Sequence, residues 1–208
     1  MSKEKEIIEI AKQIRASSQN GLFYSDNEYD IERYNDFIAL SDRLASLITD
    51  CPEIEIQKSY KPITDYITPK VDIRAVVFND KDEILMVQER ADSLWSLPGG
   101  WADVGYTPSE VAVKEVKEET GLDVEVVRLL AVLDKRKHNH PPHSHYVYKF
   151  FILCEIKGGN LSKAFDILDN GFFALNNLPP LSEERVIKEQ IDLMLDLKNN
   201  PEKGVILD

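Results

Sequence analysis

Two cysteines in 208 residues, Cys51 and Cys154, are too few and too far apart for a disulfide framework. They read as reduced thiols, and the expectation is a cytoplasmic protein. Positive charge is also scarce: 25 Lys and Arg against 37 Asp and Glu leave a net charge of −12. No basic patch balances that excess, which argues against nucleic acid or an anionic membrane surface as a partner. No apolar run is long enough to cross a bilayer, and the first stretch, MSKEKEIIEIAK, lacks the apolar core of a signal peptide. Internal repeats and low-complexity tracts are missing too. What remains is a globular chain, 43% hydrophobic, long enough for one large domain or a core domain with an appendage.

Residues 3 to about 50 read as helices. Ile7, Ile8, Ala11 and Ile14 recur at helical spacing, and Gly21 is the expected stop. A second helix, from about Ile31 to Ile48, carries Phe37, Leu40, Leu44 and Leu47 on one face. Such a pair is too small to bury its own stripe, so it must pack on the following domain or on a partner chain. The connection between them, GLFYSDNEYDIERY, is rich in aromatics. Phe23, Tyr24, Tyr29 and Tyr34 either pack a hinge or offer a tyrosine, Tyr24 foremost, to stack on a substrate base. Cys51 to Pro69, with Pro52, Pro62 and Pro69, reads as a linker, dividing a helical domain over 1–66 from a second domain over 67–208.

Beyond the linker the apolar period becomes two. VDIRAVVF is a predicted strand, Asn79 to Asp82 a turn, and EILMVQE the returning strand of a hairpin. VEVVRLLAVLDKRK is one or two strands, and HYVYKFFILCEI a long one ended by Gly158 and Gly159. GFFALNNLPP is a strand end and turn. A closing helix from Ser182 onward puts Ile187, Ile191, Met194 and Leu195 on one face. Mixed strands with helices on both sides make an α/β sandwich.

The most informative stretch is LPGGWADVGYTPSEVAVKEVKEETGL, residues 97–122. Thr107 is the expected N-cap, Pro108 the first helical residue, Glu110 the partner in a capping box and Gly121 the stop. On that helix Glu115, Glu118 and Glu119 share an arc, because residues three and four apart lie on one face. Three carboxylates held so close repel one another unless a cation joins them, and oxygen ligands suit a hard ion such as Mg²⁺ or Mn²⁺. A solvated face with a Lys114–Glu118 pair is the plainer alternative. The preceding Gly99-Gly100 turn favours the metal, since it lets backbone approach a ligand beside the carboxylates.

This pattern resembles the Nudix box. Gly100 matches its glycine, and Lys114, Glu115, Val116, Glu118, Glu119, Gly121 and Leu122 match its later positions. Two positions depart: Tyr106 stands where the first glutamate is usual, and Lys114 where an arginine is usual. The helical segment followed by this core is similar to Nudix hydrolases of X-linked nucleoside diphosphates, and the GGWADVGYTP loop resembles bacterial CDP-choline pyrophosphatases. The resemblance implies a Nudix α/β/α sandwich with a mixed sheet behind a small N-terminal helical domain that serves dimerisation or lids the substrate. It also implies Mg²⁺- or Mn²⁺-dependent cleavage of a nucleoside diphosphate linked to X, with ADP-ribose and CDP-choline as leading substrates and a homodimer as the assembly. In that scheme Glu115, Glu118 and Glu119, aided by backbone at Gly99 or Gly100, hold the metal ions, and Lys114 orients a glutamate. Asp166 and Asp169, in AFDILDNGFF, occupy offsets where family members carry an acidic residue. They are either the general base or turn-formers.

Four histidines, His138, His140, His143 and His145, flank Pro141-Pro142. They form either a zinc site or, in keeping with Lys135, Arg136 and Lys137, basic trim near phosphate. Arg136 and Arg90 are the candidate phosphate contacts; Arg90 is equally read as a plain surface residue. A non-catalytic Nudix-fold nucleotide sensor is the rival function, disfavoured by the retained glutamates and the acidic composition.

Overall fold

A computed structural model of the chain describes residues 3–49, 51–59, 66–103, 105–163 and 165–208. The chain divides into two compact units. One comprises residues 1–69 with 142–145; the other comprises 70–141 and 146–208.

The first unit is helical: α1 (Lys3–Tyr24), α2 (Glu28–Thr49) and α3 (Glu53–Ser59). Gly21 does not end α1. Its missing side chain instead makes room for Tyr34, since a Cβ there would sit 2.4 Å from the ring. The aromatic segment is therefore mostly helix, and only Ser25 to Asn27 connect, with Asn27 Oδ1 accepting from the Tyr29 amide at 2.9 Å. The seam between α1 and α2 is more polar than the spacing suggests. Arg15 pairs with buried Asp42, and the Ser41 hydroxyl donates to the Ala11 carbonyl. The apolar line of α2 faces outward, with Phe37, Leu40 and Leu47 all exposed. The predicted linker contains α3, nucleated where the Glu55 and Ile56 amides donate to the Pro52 carbonyl. Its residues 60–65, including Pro62, lie outside the described residues.

The second unit is an α/β sandwich. Its larger sheet takes the order β4-β1-β6-β5-β8, from β1 (Lys70–Val77), β4 (Gly99–Trp101), β5 (Leu122–Asp134), β6 (Val147–Gly159) and β8 (Ile206–Leu207). β1 runs parallel to β6 and antiparallel to β4, so the sheet is mixed. A smaller sheet takes the order β3-β2-β7, from β2 (Ile84–Glu89), β3 (Trp95–Ser96) and β7 (Ile167–Phe173). Alternation along β1 supplies both cores. Ile73, Ala75 and Val77 pack towards α4 (Pro108–Thr120), while Val76 and Phe78 join the cluster that includes Ile191, Met194 and Leu197 of α5 (Lys188–Asn199).

Four expectations change. β1 and β2 meet only at the Phe78–Ile84 bridge and then part into different sheets. β2 is buried on both faces, Leu85 in one core and Ile84 and Met86 in the other, so it belongs between layers rather than beside β1. β7 begins at Ile167, which puts Asp169 in a strand rather than a loop. The last helix starts at Lys188, six residues after Ser182, because Arg185 and Val186 turn back to hydrogen-bond the Ser182 carbonyl. Ile206 and Leu207 add β8 beside β5, a strand too short to show in the sequence pattern.

Candidate active site

The site is built where β4 meets α4. Thr107 caps α4 as expected: its side chain accepts from the Glu110 amide, and Glu110 accepts in return from the Thr107 amide at 2.8 Å. Gly121, at φ 77°, closes the helix in the left-handed region. Between these caps Val111, Ala112 and Val116 bury one side and turn Glu115 and Glu119 towards the glycine turn.

Glu119 is only 6% exposed, and its Oε2 accepts the Gly99 amide at 3.0 Å. Burial pushes its carboxyl up to about 8, despite the opposing pull of Arg74, and Glu115 and Glu89 push the same way. Glu115 is also raised, first by burial and then by Glu118, against the pull of Lys114. Gly99, at φ 144°, lies so close to β1 that a Cβ would sit 2.0 Å from the Ile73 carbonyl oxygen. A Cβ on Gly100 would stand 3.4 Å from Glu115 Oε1, ordinary contact, which places this turn directly beside the carboxylate. Glu118 points outward. Lys114 lies 3.1 Å from Asp103, 3.6 Å from Glu118 and 3.9 Å from Glu115, and 5.6 Å from the centre of the Tyr106 ring.

Two residues that sequence reasoning passed over belong here. Glu89, at the bulged end of β2, takes Arg185 at 3.2 Å and Arg74 at 4.0 Å. Burial raises its carboxyl, with Asp92 and Asp166 adding repulsion. Arg74 lies buried on β1, opposite Gly99 in the register. A signal existed for Glu89, a charged residue ending an apolar strand just ahead of the loop.

The other predicted residues are placed as follows. Asp166 is exposed but electrostatically coupled to Glu89. Asp169 is on β7 and pairs with Lys163 at 3.2 Å, on a partly exposed surface. Its neighbour Asn170 ties β7 to α4, donating to the carbonyls of Glu119 and Ser162. Arg90 is committed to the same loop as Asp166: its Nε donates to the Phe165 carbonyl, and its amide to that of Asp166. Arg136 is held by both oxygens of Asp134 and stacks on Tyr146. Tyr24 is exposed in the helical unit, edge-on to Phe23. The histidines go separate ways. His138 reaches Asp208, the buried His140 donates from Nδ1 to the Glu183 carbonyl, and the His143 and His145 rings lie edge to face.

Among the described residues, no three His, Cys, Asp or Glu side chains converge as they stand into a ready metal cage. The donor chemistry nonetheless fits a hard divalent cation. All the donors are oxygens, and two of the carboxyls are raised by burial and by mutual repulsion, which a cation would relieve.

The sandwich, the glycine turn and the capped glutamate helix are those of a Nudix hydrolase, and the chain belongs to that family. The NUDIX domain model matches residues 68–194, and the model of a UDP-X-like, N-terminal oligomerisation domain matches residues 5–59. The protein is thus an enzyme, a hydrolase of the Nudix family. A Bacillus subtilis (strain 168) protein, YjhB, provisionally named an ADP-ribose pyrophosphatase, is 42% identical over 97% of this chain and 96% of its own. Solved structures are similar as well. An ADP-ribose pyrophosphatase from Streptococcus suis 89-1591 is 46% identical, covering 68% of this chain and all of its own with a TM-score of 0.62. A UDP-X diphosphatase is 34% identical over the whole of both chains, with a TM-score of 0.64.

Proposed function

We propose that this protein hydrolyses a nucleoside diphosphate linked to X, releasing a nucleoside monophosphate and phospho-X, with Mg²⁺ or Mn²⁺ held at the α4 carboxylates. The observation that carries the reading is Glu119, a buried carboxyl raised to about 8 beside Glu115 and pinned to Gly99. A buried acid at such cost, facing a glycine turn, is built for a charge that arrives with the ligand. Glu115, Glu118 and Glu119, with backbone at Gly99 or Gly100, would hold the ions. Bound there, the metal supplies charge neutralisation on the pyrophosphate and a lowered pKa for the attacking water.

The chain's own groups do the rest. Gly99 fixes Glu119 in orientation through its amide, so that carboxylate need not reorganise when substrate binds. Lys114, shared among Asp103, Glu118 and Glu115, adds a weak guiding pull on those carboxylates. Glu89 and Asp166, brought together at the end of β2, join Asp169 as candidates to accept the proton of the attacking water. Of the three, Glu89 is the half-buried one with a raised carboxyl, the better placed in basicity for that task.

ADP-ribose is the first substrate to test, because the YjhB relative and the Streptococcus suis structure both carry that name; CDP-choline is retained from the loop resemblance. The outward apolar line of α2 and the match to an oligomerisation domain support a homodimer. The free thiols Cys51 and Cys154 support a reducing, cytoplasmic setting. The deciding experiment is a panel of ADP-ribose, CDP-choline, UDP-linked sugars, NADH and nucleoside triphosphates with Mg²⁺, Mn²⁺ or EDTA, read as nucleoside monophosphate. Metal-dependent release from a nucleoside diphosphate-X is expected. No turnover of any member would leave the sensor as the better reading.

A further inference from the structure

The 97–122 stretch departs from the box pattern at Tyr106, in the loop before α4, and at Lys114 on the helix. Lys114 offers a single ammonium, partly exposed and shared among Asp103, Glu118 and Glu115. A point charge divided so widely on the surface fixes little.

A second cation, seated on β1, pulls on Glu119 and Glu115. Arg74 is 5% exposed in the middle of β1. Its Nε donates to Asp72 Oδ1 at 2.9 Å, and its Nη1 donates to the Leu97 carbonyl at 3.0 Å and the Ser96 hydroxyl at 3.2 Å. Asp72 is itself held from the other side by the buried ammonium of Lys149. The fork therefore cannot swing away from the loop. Two residues past Leu97 stands Gly99, paired with Arg74 across the sheet and donating to Glu119. Glu89 Oε1 lies 4.0 Å from Nη1.

We infer that Arg74 is the positioning residue of this active site, fixing the Ser96–Gly100 turn through its planar fork and seating a permanent positive charge between Glu119 and Glu89. Only a guanidinium suits the place. It serves an acid, a hydroxyl and a carbonyl at once from fixed directions, and it never loses its charge. The inference rests on the pyrophosphatase reading for its kinetic part and on the carboxylate site alone for its binding part.

The test compares the full-length protein with Arg74→Lys, Arg74→Gln and Asp72→Asn. Each is checked for folding by circular dichroism and thermal melting, then measured for kcat and KM on the best substrate of the panel. Mn²⁺ binding is measured by electron paramagnetic resonance of the free ion. Arg74→Lys keeps the charge and loses the fork. Because a displacement of about 1 Å can cost about 100-fold in rate, kcat should fall about 10- to 100-fold with KM within about threefold of the parent. Mn²⁺ binding should weaken, since Glu119 and the turn lose their fixed relation. Asp72→Asn, which loosens the anchor of the fork, should show the same split to a smaller extent. A folded Arg74→Lys protein with parental kcat and parental Mn²⁺ binding, whatever its melting temperature, overturns the inference and leaves Arg74 a purely structural residue. If Arg74→Gln does not fold, Arg74→Lys and Asp72→Asn decide. If the parent protein turns over nothing, the activity reading fails separately, and the Mn²⁺ titration of parent against Arg74→Lys decides this one.

Discussion

At the scale of single residues the site is a contest between burial and charge, and Glu119 is where that contest is sharpest. Replacing it with Gln keeps an oxygen for the Gly99 amide while removing a carboxyl whose charged form burial penalises. Glu119→Gln is therefore expected to lose at least about 100-fold in kcat through loss of metal-assisted stabilisation, yet to melt no lower than the parent in EDTA. A melting temperature well below the parent's would show that the carboxylate is a structural anchor. The carboxylates of α4 were legible in the sequence because their spacing is local, three and four residues along one helix. Arg74 and Glu89 were not. Their neighbours come from tertiary contacts across 22 to 25 residues for Arg74 and across 96 for Glu89 and Arg185, and no periodicity encodes such a meeting.

Elements were read well where their ends carry local chemistry. Both termini of α4 were visible in advance because a capping box and a left-handed glycine are written in adjacent residues. Thr107→Ala should cost about 1 kcal/mol in urea denaturation, the usual worth of such a cap. Gly121→Ala should cost more. The residue sits at φ 77°, and a Cβ would meet Ser162 Oγ at 2.2 Å and the Asn160 carbonyl at 2.6 Å, a backbone atom that cannot step aside. If the two variants prove equally mild, the αβ junction at Gly121 is looser than its geometry states. Where ends depend on distant partners, the sequence misled. The start of α5 is delayed by a turn at Ser182 whose hydroxyl donates to Asp92, 90 residues away. Gly21 looked like a stop and proved to be a seat for an aromatic ring from the next helix.

For the whole molecule, the helical half was predicted in kind but not in its seam. Ile14, Phe37, Leu40 and Leu47 are exposed, in keeping with a stripe the pair cannot bury alone, while the seam joins buried Ala11 to Arg15, Ser41 and Asp42. A homodimer should bury the outward line, so Leu40→Asp with Leu47→Asp is expected to shift the protein from dimer to monomer in sedimentation velocity. An unchanged dimer would place the interface elsewhere. Stability should also sense pH through His140. Burial lowers its imidazole from the ordinary 6.5 to about 4, so the unfolded chain takes up a proton before the folded one does. Its contribution is complete above about 6.5 and drains away as pH falls towards 4, on the order of 2–3 kcal/mol over that window. His140→Asn should flatten that part of the profile in thermal melts between pH 7 and 4.5; an unaltered slope would assign it to other groups.

The parallel pairing of β1 with β6 also governs the order in which this enzyme can come into being. Every residue of β1 finds its partner 77 positions later, from Lys70 with Val147 to Val77 with Cys154. Contacts that distant are slow to close. During synthesis β1, the strand against which the glycine turn rests, waits for β6 to leave the ribosome. The acidic helix emerges in the interval, when β1 beneath it is made but not yet joined to β6. The catalytic arrangement thus depends on a strand delivered 77 residues after the one it leans on.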